Sequence, residues 1–147
     1  MNSLHKNVYL SGSTLTSETR WKLEQLNAIM EGNFLTTHLP HRDVELQSTN
    51  SNSESEIFEL CNRIIKDCDL FIAVIDKNDN GTSNTLWEIG YAYALNKPII
   101  CLHEDSFFNE RREGQRFLWM NSLIMCQSVE ELKEQLALIL ANNSITL

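Results

Sequence analysis

The residues with chemistry to offer fall in four stretches of the chain. The first is Val8-Tyr9-Leu10-Ser11-Gly12-Ser13-Thr14, an apolar run that ends in a turn of small hydroxyl residues. Small side chains after a strand let backbone amides approach a ligand, so Ser11, Gly12 and Ser13 are candidate substrate contacts. The second runs from Asp76 to Pro98, where a loop of Asp, Asn, Gly and Thr leads into a helical pattern holding Glu88. Early in that helix, Glu88 points back over the strand ends. The positive end of the helix dipole and nearby hydroxyls then favour an ionised carboxylate. The plainer alternative is a carboxylate that only stabilises its own first turn. Asp76, Asp79, Thr82 and Ser83 line the same loop.

The third stretch is His38-Leu39-Pro40-His41-Arg42-Asp43. Two histidines at this spacing suit a metal only on a helix, and Pro40 breaks one, so an exposed loop is expected and no metal. Arg42 is placed to contact a phosphate or carboxylate. The fourth, Phe107 to Asn121, interleaves aromatics and arginines and reads as a subunit interface with a charged rim. Cys61, Cys68, Cys101 and Cys126 form no CxxC pair, so neither a zinc site nor a disulfide framework is expected. They read as reduced, mostly buried thiols in a cytoplasmic protein. No GxGxxG and no Walker A lysine is present, so no dinucleotide, P-loop or other cofactor is expected.

The chain of 147 residues carries 20 acidic and 12 basic side chains, a formal charge of −8. That length suits one domain over 1–147 with a real core. The acidity argues against nucleic acid and against an anionic membrane as partners. The first residues lack the apolar stretch of a signal peptide, and no apolar run approaches the ~20 residues of a spanning helix. The charge is uneven, since residues 49–105 hold ten acids and four bases.

The elements that must position these residues are legible from periodicity. Strands are expected at Val8–Leu10, within Asn33–Leu39, at Leu70–Ile75, at Pro98–Leu102 and at Leu123–Met125. Helices are expected at Ser17–Glu31 (Ser17 as N-cap, Gly32 as stop), Glu54–Lys66, Asn84–Asn96 and from the capping box Ser128–Glu131 through Leu140. Residues 41–53 read as a long loop and a candidate lid. The run Leu70-Phe71-Ile72-Ala73-Val74-Ile75 lacks alternation, as in a strand buried on both faces. Strands alternating with helices imply a single Rossmann/flavodoxin-like α/β domain. Its five-stranded sheet should be mainly parallel, with helices on both faces. Such sheets bind ligands beyond the carboxyl ends of their strands.

Three blocks together resemble the nucleoside 2-deoxyribosyltransferase-like superfamily. They are Val8-Tyr9-Leu10-Ser11-Gly12, Cys68-Asp69-Leu70-Phe71-Ile72-Ala73-Val74-Ile75-Asp76, and Thr85-Leu86-Trp87-Glu88-Ile89-Gly90-Tyr91-Ala92-Tyr93-Ala94-Leu95-Asn96-Lys97-Pro98. The opening is also similar to the YtoQ-like branch. The resemblance implies that Glu88 is a nucleophile at C1′ of a (deoxy)ribosyl group, and that the Tyr9 phenol orients it. The family's sugar-contacting aspartate, six residues before the glutamate, corresponds to Thr82 here, with Asp79 the nearby acid to replace it. The aspartate that handles the leaving base corresponds to about Cys61, with Glu56 and Glu59 on the same helix. Relatives that hydrolyse nucleotides hold a 5′-phosphate with small hydroxyl residues, which implies Ser11, Ser13, Thr82 and Ser83. The resemblance also implies a homo-oligomer with shared active sites, Asn121 being lent to a neighbour. A nucleoside or nucleotide is thus the expected substrate of a transferase or hydrolase. The alternatives are a non-catalytic nucleotide-binding module and a TIR-like NAD hydrolase.

Overall fold

Leu70, Phe71, Ile72, Ala73 and Val74 are all buried and form the central strand of the molecule. The computed structural model describes residues 6–13, 17–39, 54–75, 82–103 and 123–142. Within them the strands are β1 (Asn7–Ser11), β2 (Thr36–His38), β3 (Leu70–Val74), β4 (Ile99–Leu102) and β5 (Ile124–Cys126). The helices are α1 (Ser17–Gly32), α2 (Glu54–Asp67), α3 (Thr82–Ala94) and α4 (Val129–Ala141). The strands form one sheet in the order β2-β1-β3-β4-β5, and every pairing is parallel. This is the α/β flavodoxin-like architecture expected from the alternating pattern, with the strand order switching between β1 and β3.

Side-chain alternation assigns each face its helices. Val8, Leu10, Leu70, Ile72, Val74, Ile100 and Leu102 pack with Leu23, Leu26 and Met30 of α1 and Leu132, Leu136 and Ile139 of α4. Tyr9, Phe71, Ala73, Ile99 and Cys101 point the other way and pack with Ile65 of α2 and Ile89 and Ala92 of α3. Gly12, just after β1, lies on the α1 side. A Cβ there would stand 3.1 Å from Leu23 Cδ2 and 3.4 Å from Val74 Cβ. Its missing side chain thus makes room for α1 to close on the sheet.

Several boundaries differ from the sequence reading, each for a local reason. Gly32 ends α1, but the left-handed residue of its C-terminal turn is Phe34, with φ 61°. The amide of Phe34 donates to the Glu31 carbonyl and that of Leu35 to the Met30 carbonyl, the paired bonds of a Schellman turn. Asn96 closes α3 in the same way, with φ 60°. The strand within Asn33–Leu39 therefore shrinks to β2. Helix α3 begins at Thr82, two residues before the expected Asn84, which moves Glu88 to the seventh position. At the start of α4 the Ser128 hydroxyl accepts from the Glu131 amide at 3.1 Å, and Glu131 Oε2 accepts from the Gln127 amide. All four cysteines are free thiols, three of them buried, as expected. No described helix is long and apolar enough to cross a membrane.

Candidate functional site

Residues two apart on a strand share a face, so Tyr9 and Ser11 both project from the carboxyl end of β1 toward the α2/α3 layer. Glu88 descends from α3 to meet them. The Tyr9 hydroxyl donates to Glu88 Oε2 at 2.7 Å, and the Ser11 hydroxyl donates to Oε1 at 2.6 Å. Each carboxylate oxygen is thus held by a hydroxyl from the first strand of the chain, at the strand-order switch where sheets of this type place their ligands.

Tyr9 is itself held on three sides. Its ring stacks between His38 of β2, at 5.2 Å between centroids, and Phe71 of β3, at 5.5 Å. These three rings are register neighbours across the sheet, Tyr9 pairing with His38 on one side and Phe71 on the other. The Cys61 thiol of α2 hydrogen-bonds with the Tyr9 hydroxyl. Burial, then the Glu88 charge, then Cys61 push the Tyr9 phenol well above its ordinary value, which keeps it a donor. Burial likewise raises the Cys61 thiol, the Tyr9 hydrogen bond opposing and the Glu88 charge adding to the rise.

Glu88 departs from the expectation of a carboxylate ionised by the helix dipole. Burial raises its pKa above the ordinary 4.5, and the hydrogen bonds from Ser11 and Tyr9 only partly offset this. The dipole effect fades beyond the first helical turn, and Glu88 lies a turn further in.

The structure brings Glu88, Tyr9 and Ser11 into contact. Ser13 is buried beyond the end of β1, and Gly12 serves helix packing as described. Thr82 and Ser83 form the first turn of α3, their side chains lying outside the description. Asp76, Asp79, Arg42 and Asn121 lie outside the described residues, as do the whole of the lid candidate at 41–53 and the whole of the aromatic stretch Phe107–Asn121. Glu56 and Glu59 are exposed on α2, whereas Cys61 of the same helix reaches Tyr9. His38, within the expected strand and also at the start of the stretch expected as an exposed loop, ends β2, half-buried against Tyr9. The signal for it was present: strand-forming Thr36-Thr37 leads directly into the histidine. Among the described residues no group of three His, Cys, Asp or Glu is arranged to hold a metal ion.

Comparison with known proteins agrees with this fold. Residues 5–106 match the family model described as nucleoside 2-deoxyribosyltransferase like, and the chain belongs to that family. None of the curated protein sequences matches it. Among solved structures, the 2-deoxyribosyltransferase of Bacillus psychrosaccharolyticus superposes with a TM-score of 0.69 at 19% identity, over 86% of this chain and 90% of that one. The enzyme of the same name from Leishmania mexicana gives 0.64 at 19% identity, over 91% and 96%. The CMP N-glycosidase BcmB of Clostridium botulinum gives 0.60 at 23% identity, over 90% and 98%. At these identities the likeness is one of fold.

Proposed function

We propose that this chain cleaves the N-glycosidic bond of a nucleoside, with Glu88 as the nucleophile. The observation that carries the reading is the pair of hydroxyls, Tyr9 and Ser11, that hold both oxygens of one half-buried carboxylate. A mere helix-stabilising glutamate would face solvent at its own N-terminus. A carboxylate oxygen of Glu88 bonds to C1′ while the C1′–N bond breaks, its electron pair leaving with the nucleobase, which is protonated. A second base or water then attacks C1′ and releases the carboxylate. Splitting one displacement into two lowers each barrier, and the carboxylate stabilises the oxocarbenium-like centre between them. The two hydroxyls fix the attacking orbital and keep Glu88 from rotating away. Tyr9 and Ser11 act here on Glu88. Sugar and phosphate contacts fall to Ser13, Thr82, Ser83, Asp76, Asp79 and Arg42, and Asn121 would come from a neighbour.

The test is base release, followed by chromatography, from a panel of nucleosides, 5′-nucleotides and NAD, with and without an acceptor base. Wild type should release base from a nucleoside, and Glu88→Ala should lose on the order of a thousandfold or more in rate. Exchange that needs the acceptor identifies a transferase, and release into water alone a hydrolase. Release from NAD only would replace this reading with an NAD hydrolase. No release from any substrate, or release that survives Glu88→Ala, rules out the mechanism and leaves a binding module.

A further inference from the structure

Glu88 meets its partners across a neighbouring strand. Helix α3 packs on β3 and β4, the strands it connects, whereas Tyr9 and Ser11 belong to β1, on the far side of β3. The Glu88 side chain therefore has to cross β3 to deliver its two oxygens to the hydroxyls of β1. What stands on that face of β3 decides whether it can.

Residues two apart on a strand share a face, so Phe71, Ala73 and Ile75 follow one another beneath α3. Ile75 continues the run past the last residue of β3, its amide donating to the Leu102 carbonyl. The order is large, small, large. Phe71 pairs with Tyr9 and stacks on its ring at 5.5 Å, with 9° between the planes. Ala73 pairs with Ser11, one step nearer the carboxyl edge. It is fully buried and leaves a notch between Phe71 and Ile75. Adjacent strands lie about 4.8 Å apart, so a side chain crossing β3 at this level arrives at the Ser11 hydroxyl. Position 73 is also the one place in Leu70–Val74 with no side chain beyond Cβ, although a buried strand favours larger and β-branched residues.

We propose that Ala73 is a positioning residue: its small side chain is the passage by which Glu88 crosses β3 and meets Ser11 and Tyr9. A larger residue closes the notch and holds the carboxylate short of β1, nearer solvent. Size and stability make opposite demands here. Glycine keeps the passage open but weakens the strand, whereas valine suits a strand and closes the passage. The effect on rate rests on Glu88 being the nucleophile, while the seat of the carboxylate is measurable without catalysis.

Two measurements on the full chain test this, with circular dichroism to verify each variant's fold. The first is the titration of Glu88, followed by carbon NMR of carboxyl-labelled glutamate and assigned by the signal missing in Glu88→Gln. Wild type and Ala73→Gly should titrate above 4.5, and Ala73→Val should fall back toward 4.5, because the displaced carboxylate loses its burial. The second is base release. Ala73→Val should lose on the order of a hundredfold in kcat with KM little changed, since a displacement of about 1 Å is enough for that. Ala73→Gly should keep most of the rate although it melts lower. Ala73→Cys, one atom larger than alanine, should fall between the two in both measurements, and it decides the matter if Ala73→Val fails to fold. A Glu88 titration that the larger residues leave unmoved overturns the proposal. So do rates that follow melting temperature rather than side-chain size. Should wild type release no base, the nucleophile fails by itself, and the titration still decides whether Ala73 seats the carboxylate.

Discussion

Glu88 is held in a conflict that its own folding must absorb. Two hydroxyls stabilise its charge, yet burial raises its pKa above 4.5. The folded state therefore binds the Glu88 proton more tightly than the unfolded chain does. Between 4.5 and the raised value the folded state is protonated while the unfolded chain is not, so stability falls as pH rises through that window. Below the window both states are protonated and the effect vanishes; above it the full penalty applies. Glu88→Gln, which removes the charge and keeps the shape, should melt at a higher temperature than wild type at pH 7. The gain should vanish near pH 4. Calorimetry at both values decides it, and an equal gain at each pH would mean that the charge is not the cause. At this scale much of the site was legible beforehand. The spacing of Tyr9 and Ser11 on a strand and the block around Glu88 pointed to one place. What the sequence concealed were the partnership across 77 residues that takes the Ser11 hydroxyl to Glu88, and the approach of the Cys61 thiol to Tyr9. His38 lay within the expected strand, but its role was missed because nothing in its own segment tells that its ring stacks on Tyr9 of the neighbouring strand.

At the scale of elements, the helix ends decide what the side chains can do. The stretch before Asn84 reads as loop because Gly, Thr, Ser and Asn favour turns. Packing on the sheet nevertheless extends α3 back to Thr82 and carries Glu88 beyond the reach of the helix dipole. The end of α1 is a second case. Gly32 is the residue with the freedom to stop a helix, yet the left-handed position falls to Phe34, which is 90% exposed. A phenylalanine there carries backbone strain and gains little from burial. Phe34→Gly removes the strain but adds entropy to the unfolded chain, so the net gain should be about 0.5–1 kcal/mol. In thermal melts that is a rise of about 2–3 °C. Phe34→Asn should do at least as well, because Asn tolerates this conformation without glycine's entropy cost, whereas Phe34→Ala should gain nothing. Equal melting of all three variants would show that φ at this position is not what limits the turn.

For the whole molecule, the fold locates the charge that composition only counts. Residues 49–105, which include α2, β3, α3 and β4, hold ten of the 20 acids and four of the 12 bases. Of these, α2 and α3 carry five acids, Glu88 included, and two bases on the flank of the sheet from which Glu88 reaches β1, so the charge described on that flank is negative. A negative field favours a neutral substrate and the positive charge that develops at C1′, and it repels a phosphate dianion. Surface fields are screened over about 10 Å at 0.1 M salt, whereas a phosphate held by a direct cation is much less affected. A nucleoside and its 5′-monophosphate should therefore respond differently to salt. Between about 20 and 300 mM salt, kcat/KM for the nucleoside should stay nearly constant, while that for the monophosphate rises toward it. Initial rates of base release for both substrates at the two salt concentrations measure this. If the monophosphate is instead the better substrate at low salt and weakens as salt is added, a local cation outweighs the acidic flank. Arg42 is then the first residue to replace, and Arg42→Ala should return the preference to the nucleoside.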